Sequence, residues 1–121
     1  MKYLLFFSIS LSIIHTKLIS PVNLDTLSKT HILFEWEQEP YAVGYNLQIS
    51  NSNIFDDFIV DSNIYNLIYI DQQNLDWDNT YYWRIKSIFE DNSFSDWIDI
   101  SSFSISNSIF TTTTGEIEIY D

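Results

Sequence analysis

Downstream of position 20 the chain alternates apolar and polar residues in short blocks, and the blocks are separated by clusters of Asn, Asp and Ser. Over 31–37, Ile32, Phe34 and Trp36 share one phase while Leu33, Glu35 and Glu37 share the other. A period of two with one apolar face predicts a half-buried strand. Glu39-Pro40-Tyr41 interrupts it, because proline offers no ladder donor and turns the preceding residue away from helix. Tyr45, Leu47 and Ile49 then alternate with Asn46, Gln48 and Ser50, which predicts a second strand. Residues 58–60 read as a short edge strand flanked by Asp56, Asp57 and Asp61, charges that discourage pairing with another chain. The stretch 64–70 is apolar on both phases, so the pattern leaves its inward face open. Over 80–89, Tyr81, Trp83, Ile85 and Ser87 face one way and Tyr82, Arg84 and Lys86 the other. A polar turn at 90–93 leads into a last strand expected over 94–105. No segment carries a helical repeat of useful length. The expectation is an all-β domain over 21–105, a seven-stranded antiparallel β-sandwich, because no interval is long enough for a helical crossover.

Both ends depart from this pattern. Met1-Lys2 followed by the apolar block 3–14 has the form of a secretory signal peptide, too short to span a bilayer. Residues 1–17 are expected to be removed, with the cut placed as late as 20, leaving a product without a membrane span in the extracellular space or cell envelope. At the other end, 106–114 is rich in Ser, Thr and Asn and reads as a linker. Residues 115–121 alternate like the beginning of a strand, either of a further β-segment or added to an edge of the first.

Charge narrows the partners. Against 17 Asp and Glu stand 5 Lys and Arg, a formal charge of −12 over 121 residues. Removing Lys2 and Lys17 with the leader leaves three cations against 17 anions, or −14. Such a surface repels phosphate backbones and anionic lipid, which removes nucleic acid and membrane surfaces from the front rank of partners. A hydrophobic content of 45 % is too high for a disordered acidic tail. With no cysteine the domain is held by its apolar core alone, and there is no Asn-x-Ser/Thr acceptor for N-glycosylation.

The order of motifs resembles the fibronectin type III domain. Ile32-x-Phe34-x-Trp36, then Tyr45-x-Leu47-x-Ile49, then Leu75 followed by Tyr81-x-Trp83-x-Ile85-x-Ser87, cover nearly all of 21–105. The run Tyr81-Tyr82-Trp83-Arg84-Ile85 with Ser95-x-Trp97 is similar to versions found in exported bacterial proteins. The resemblance implies an immunoglobulin-like sandwich of a three-stranded and a four-stranded sheet without a disulfide. It also implies a tyrosine corner, with the Tyr81 hydroxyl bonded to backbone near Leu75. The usual Pro-Gly ahead of that tyrosine is replaced by Asp76-Trp77-Asp78-Asn79, and 51–73 does not align.

Candidate chemistry is sparse. His31 is the histidine certain to outlast the leader, and nothing in spacing builds a Ser-His-Asp set around it. One imidazole without thiolates does not hold zinc, and no cofactor is expected. Glu35, Glu37 and Glu39, if they share a strand face, lie roughly 7 Å apart, a spacing open to a glycosidase pair but lacking a burying cleft. Asp76-x-Asp78-x-Thr80 lacks the glycine and the bidentate glutamate of a calcium loop, which leaves a looser cluster at Asp56, Asp57 and Asp61. In the simplest register of the last hairpin Arg84 faces Asp99 and Lys86 faces Trp97, forming a surface ladder with an ion pair and a cation–π contact. Tyr41, Phe55 and Trp77 fall at strand connections, where aromatic side chains contact ligands, including sugar rings. The function expected is a non-catalytic spacer or protein-interaction module, the alternatives being a carbohydrate-binding module and a carboxylate-based hydrolase. The partner is an unidentified protein or glycan.

Overall fold

The computed structural model describes residues 16–107. Residues 1–15, on which most of the expected leader falls, and the tail beyond 107 lie outside the described residues. In chain order the strands are β1 (Leu18–Ser20), β2 (Asp25–Leu27), β3 (Ile32–Trp36), β4 (Ala42–Ser50), β5 (Val60–Ile64), β6 (Ile68–Asp71), β7 (Asn79–Phe89) and β8 (Ser101–Ile105). They form two sheets, β1-β3-β6 and β2-β8-β7-β4-β5. The architecture is the all-β sandwich expected from the alternation, with eight strand segments in place of seven.

The extra segment comes from the first strand, which changes sheets. Pro21, lacking an amide, falls where β1 leaves the small sheet. Past it, β2 pairs with β8 in parallel, Asp25 opposite Phe103 and Leu27 opposite Ile105, an exception to the expected antiparallel pairing. The sandwich also begins earlier than 21. Thr16 is buried and its hydroxyl donates to Glu39 Oε1, the Lys17 carbonyl accepts from the Glu37 amide, and Leu18 packs against the core. Residues 16–20 are thus paired with the sandwich ahead of the domain start expected at 21.

The middle and last strands differ from expectation as well. The edge strand is Val60–Ile64, not 58–60, and it pairs with β4. The stretch 64–70 is broken by a turn, and β6 has its own facing: Leu67 and Tyr69 pack on the core while Ile68 and Ile70 point outward. Its double apolar phase thus reflects a core face and an exposed apolar face. Leu33 opposite Ile70, Ile68 opposite Glu35, and nearby Ile19 make up that outer surface, each apolar residue 40–52 % exposed. The last strand forms its ladder only from Ser101, and residues 95–100 lie outside any strand.

Between the sheets sit Ile32, Phe34, Trp36, Tyr45, Leu47, Ile49, Leu75, Tyr81, Trp83 and Ile85, all 4 % exposed or less. The alternation puts all but Leu75, which lies between β6 and β7, on the inner phase of β3, β4 and β7, and Phe103 and Ile105 close the layer from β8. Their rings meet edge-on: Phe34 and Trp83 have centroids 5.1 Å apart at 77°, Trp36 and Tyr45 5.7 Å at 64°. Truncating such a ring to alanine costs about 3–5 kcal/mol, so this layer carries much of the stability of a cysteine-free domain.

Candidate interaction site

The outward phase of β7 carries the cations. Arg84 lies opposite Gln48 in the β4–β7 ladder, and its Nε and Nη2 both donate to Gln48 Oε1, at 3.0 and 2.8 Å. Its guanidinium is held between two rings, 4.0 Å from the centroid of Phe55 and 4.0 Å from that of Trp97. Lys86 Nζ lies 4.6 Å from the Trp97 ring and 4.3 Å from the Phe94 ring. The result is a stack in the order Phe55, Arg84, Trp97, Lys86, Phe94 across the outer face of the larger sheet. Burial lowers the pKa of Arg84 below its usual value, against the opposing charge of Asp61, and the group stays protonated.

Two corrections follow. The partner of Arg84 is the neutral Gln48, and Asp99 is exposed away from it. Phe55, expected as a ligand contact, is buried at 5 % exposure against the guanidinium. The register explains the first. From the Ile88–Phe94 bridge to the Trp83–Ser101 pair, β7 advances five residues and its partner seven. The two surplus residues bulge within 95–100 and set Trp97 over Arg84 where the simplest hairpin places Asp99 opposite.

That bulged segment is fixed from one side. The amides of Ser95 and Ile98 donate to the Ser87 and Ile85 carbonyls at 3.0 and 2.8 Å, and the Ser87 amide donates to Ser95 Oγ at 2.8 Å. No strand lies on its other side among the described residues. Instead there is an open groove of about 990 Å³ between 95–101 and β1. It exists because the first strand crosses to the small sheet and so withdraws from the upper part of the last strand. Ile19, Val22 and Ile100 line it at 42, 61 and 46 % exposure, and Lys17, Glu39, Asp96 and Asp99 supply its charges.

The other candidates do not converge. Tyr41, 91 % exposed, precedes β4, whose Ala42 pairs with Phe89 at the end of β7. Trp77, 42 % exposed, precedes the start of β7, so roughly 30 Å of strand separates the two rings and they share no platform. Glu37 and Glu39 lie beyond the end of β3, and Glu39 turns to Thr16, so the three glutamates do not line one strand face. Among the described residues no three His, Asp or Glu side chains gather closely enough to hold a metal ion. Asp57 caps its own turn through the Phe58 amide, and Asp61 accepts from Asn46. His31 is exposed ahead of β3.

Sequence reasoning missed Gln48 and Asp71. Gln48 is a polar residue buried on an outward phase, legible only once its register with Arg84 is known. Asp71, 1 % exposed, accepts from the Asn74 amide and side chain at 2.9 and 2.7 Å and from the Tyr69 hydroxyl at 3.2 Å. It closes the turn after β6.

Comparison with solved structures places this architecture. A fibronectin type III-like protein from Clostridium thermocellum superposes with a TM-score of 0.55 at 16 % identity, over 69 % of this chain and 86 % of that one. The fibronectin(III)-like modules of CbhA from the same organism give 0.52 at 9 % identity, over 75 % and 95 %. Pectate lyase Pel3 from Pectobacterium carotovorum gives 0.52 at 16 % identity, over 74 % of this chain but 27 % of that one. No protein-family model matches the chain, and no curated protein matches its sequence. The fold is fibronectin type III-like.

Proposed function

We propose that the chain is an exported, non-catalytic fibronectin type III-like module that acts by contacting another protein, and as a spacer where it lies between other domains. The observation that carries the reading is the groove between β1 and residues 95–100: a backbone edge held on one side, with no strand on the other among the described residues and apolar side chains exposed along it. The fold supports it, since two of the similar structures are themselves modules of this type. Export rests on the charged start and the apolar block at 3–14.

The test uses the absence of native cysteine. Ile100→Cys carrying a photo-crosslinker, presented to the exported proteins of the producing cell, is expected to give a discrete adduct that excess unlabelled chain competes away. Gln72→Cys, exposed at the far end of the sandwich, is expected to give none. Equal labelling from both positions, or no adduct from Ile100→Cys, would overturn the interaction role.

A further inference from the structure

The strand pattern over 94–105 and the structure disagree in an informative way. A last strand is expected over 94–105, yet only Ser101–Ile105 forms a two-sided ladder, with β7 on one side and β2 on the other. Residues 95–100 keep their bonds to β7 and, among the described residues, face an open groove where a second neighbour would pair. The segment is positioned by the stack of Trp97 on Arg84 and by the paired serines Ser87 and Ser95. These contacts hold the segment in place before any partner arrives, which lowers the ordering cost of binding.

The lining specifies the chemistry. Three carboxylates, Glu39, Asp96 and Asp99, stand against the single cation Lys17. Ile19, Val22 and Ile100 offer apolar surface between them. An extended strand facing this lining gains if its side chains alternate basic and apolar. The seven residues of groove wall, 95–101, run opposite five residues of β7, 83–87, and so span roughly 16 Å, the length of a strand of about five residues.

Resting on the interaction role above, we propose that the groove receives an extended basic segment of a partner protein, added as a strand along residues 95–100. Backbone hydrogen bonds to the free edge supply the pairing, the isoleucines take alternate apolar side chains, and Asp96 and Asp99 select lysine or arginine at the others.

The probe is an alternating Lys-Val heptapeptide titrated into the 15N-labelled chain. Saturable amide shifts are expected at Lys17, Leu18, Ile19 and 95–100, with none from a Glu-Val heptapeptide and none when the central residue is proline. Asp96→Asn with Asp99→Asn should weaken binding about tenfold, and Lys17→Glu should tighten it. Each of those side chains is exposed, so all variants should fold. Shifts confined to the Tyr41 or Trp77 loops, equal response to the acidic peptide, self-association of the chain through this edge, or no groove shift at millimolar peptide would each overturn the proposal. If the peptides fail while the Ile100→Cys adduct persists, the module role stands and strand addition falls; if the adduct fails as well, both fall.

Discussion

The hydroxyl oxygen of Tyr81 accepts a hydrogen bond from the Asp76 amide at 2.8 Å, and the ring lies 2 % exposed in the core. This is the tyrosine corner implied by the family resemblance, with a backbone amide as its partner. Tyr45 makes the same bond at the other end of the sandwich, accepting from the Glu39 amide at 2.8 Å. Each closes a connection onto the strand it packs beside. Tyr81→Phe leaves the Asp76 amide without its acceptor and should cost about 1–2 kcal/mol in urea melts. Tyr45→Phe should cost a similar amount. Because the two bonds lie at opposite ends of the β4–β7 ladder, the double variant should lose the sum.

The same burial makes stability fall in alkali. Desolvation raises the pKa of Tyr45, Tyr69 and Tyr81 above the ordinary value of 10.0; the donated amide bonds oppose this at Tyr45 and Tyr81, and nearby carboxylates add to it. A folded pKa above the unfolded one means the unfolded chain releases protons first. The contribution is thus whole below the unfolded value and is lost as pH rises from there through the folded values. Denaturant midpoints should hold steady up to about pH 9 and fall beyond pH 10, and the fall should be shallower in Tyr81→Phe.

The inward phases of β3, β4 and β7 were legible because each carries one clean apolar face, and a one-residue slip would expose all of it. The order of motifs sufficed for the sandwich class, though the larger sheet has five strands where the resemblance implied four. The pairing of the last strand was not legible, since two surplus residues in 95–100 are absorbed by a bulge that no hydrophobic pattern marks. Nor was the sheet switch, where the signal was a single proline, or Asp71, whose partners lie on the turn it closes. Gln48 became visible only through its opposite number.

Arg84 illustrates the energetic consequence of that register. Its charge meets two ring faces and a neutral amide oxygen, so its contribution is of the cation–π and planar hydrogen-bond kind. Arg84→Lys keeps the charge but loses the fork and the stacking plane, and should cost about 1–2 kcal/mol; Arg84→Ala should cost about 2–4 kcal/mol as Phe55 and Trp97 lose their filler. The contribution should change little between low salt and 0.5 M NaCl, whereas an ion pair with Asp99 would be screened.

Glycine scarcity leaves a different mark. The chain has two glycines, and among the described residues the positive-φ turn positions are taken by Leu24, Tyr41, Phe55, Asp78 and Asn92, with φ between 53° and 70°. Asp and Asn tolerate this region, but Leu24 and Tyr41 do so at a steric cost while 79 and 91 % exposed, with no packing to offset it. Leu24→Asn and Tyr41→Gly should therefore each stabilise the domain, by up to about 1 kcal/mol, read as a thermal midpoint higher by roughly 4–8 °C per kcal/mol. Phe55 supplies the contrast. It sits in the same backbone region at φ 53°, but that conformation lays its ring on Arg84. Phe55→Gly relieves the backbone and empties the stack, so it should destabilise by about 2–3 kcal/mol despite the favourable φ. A gain at Phe55 equal to that at Leu24 would show that the stack contributes little to the folded state.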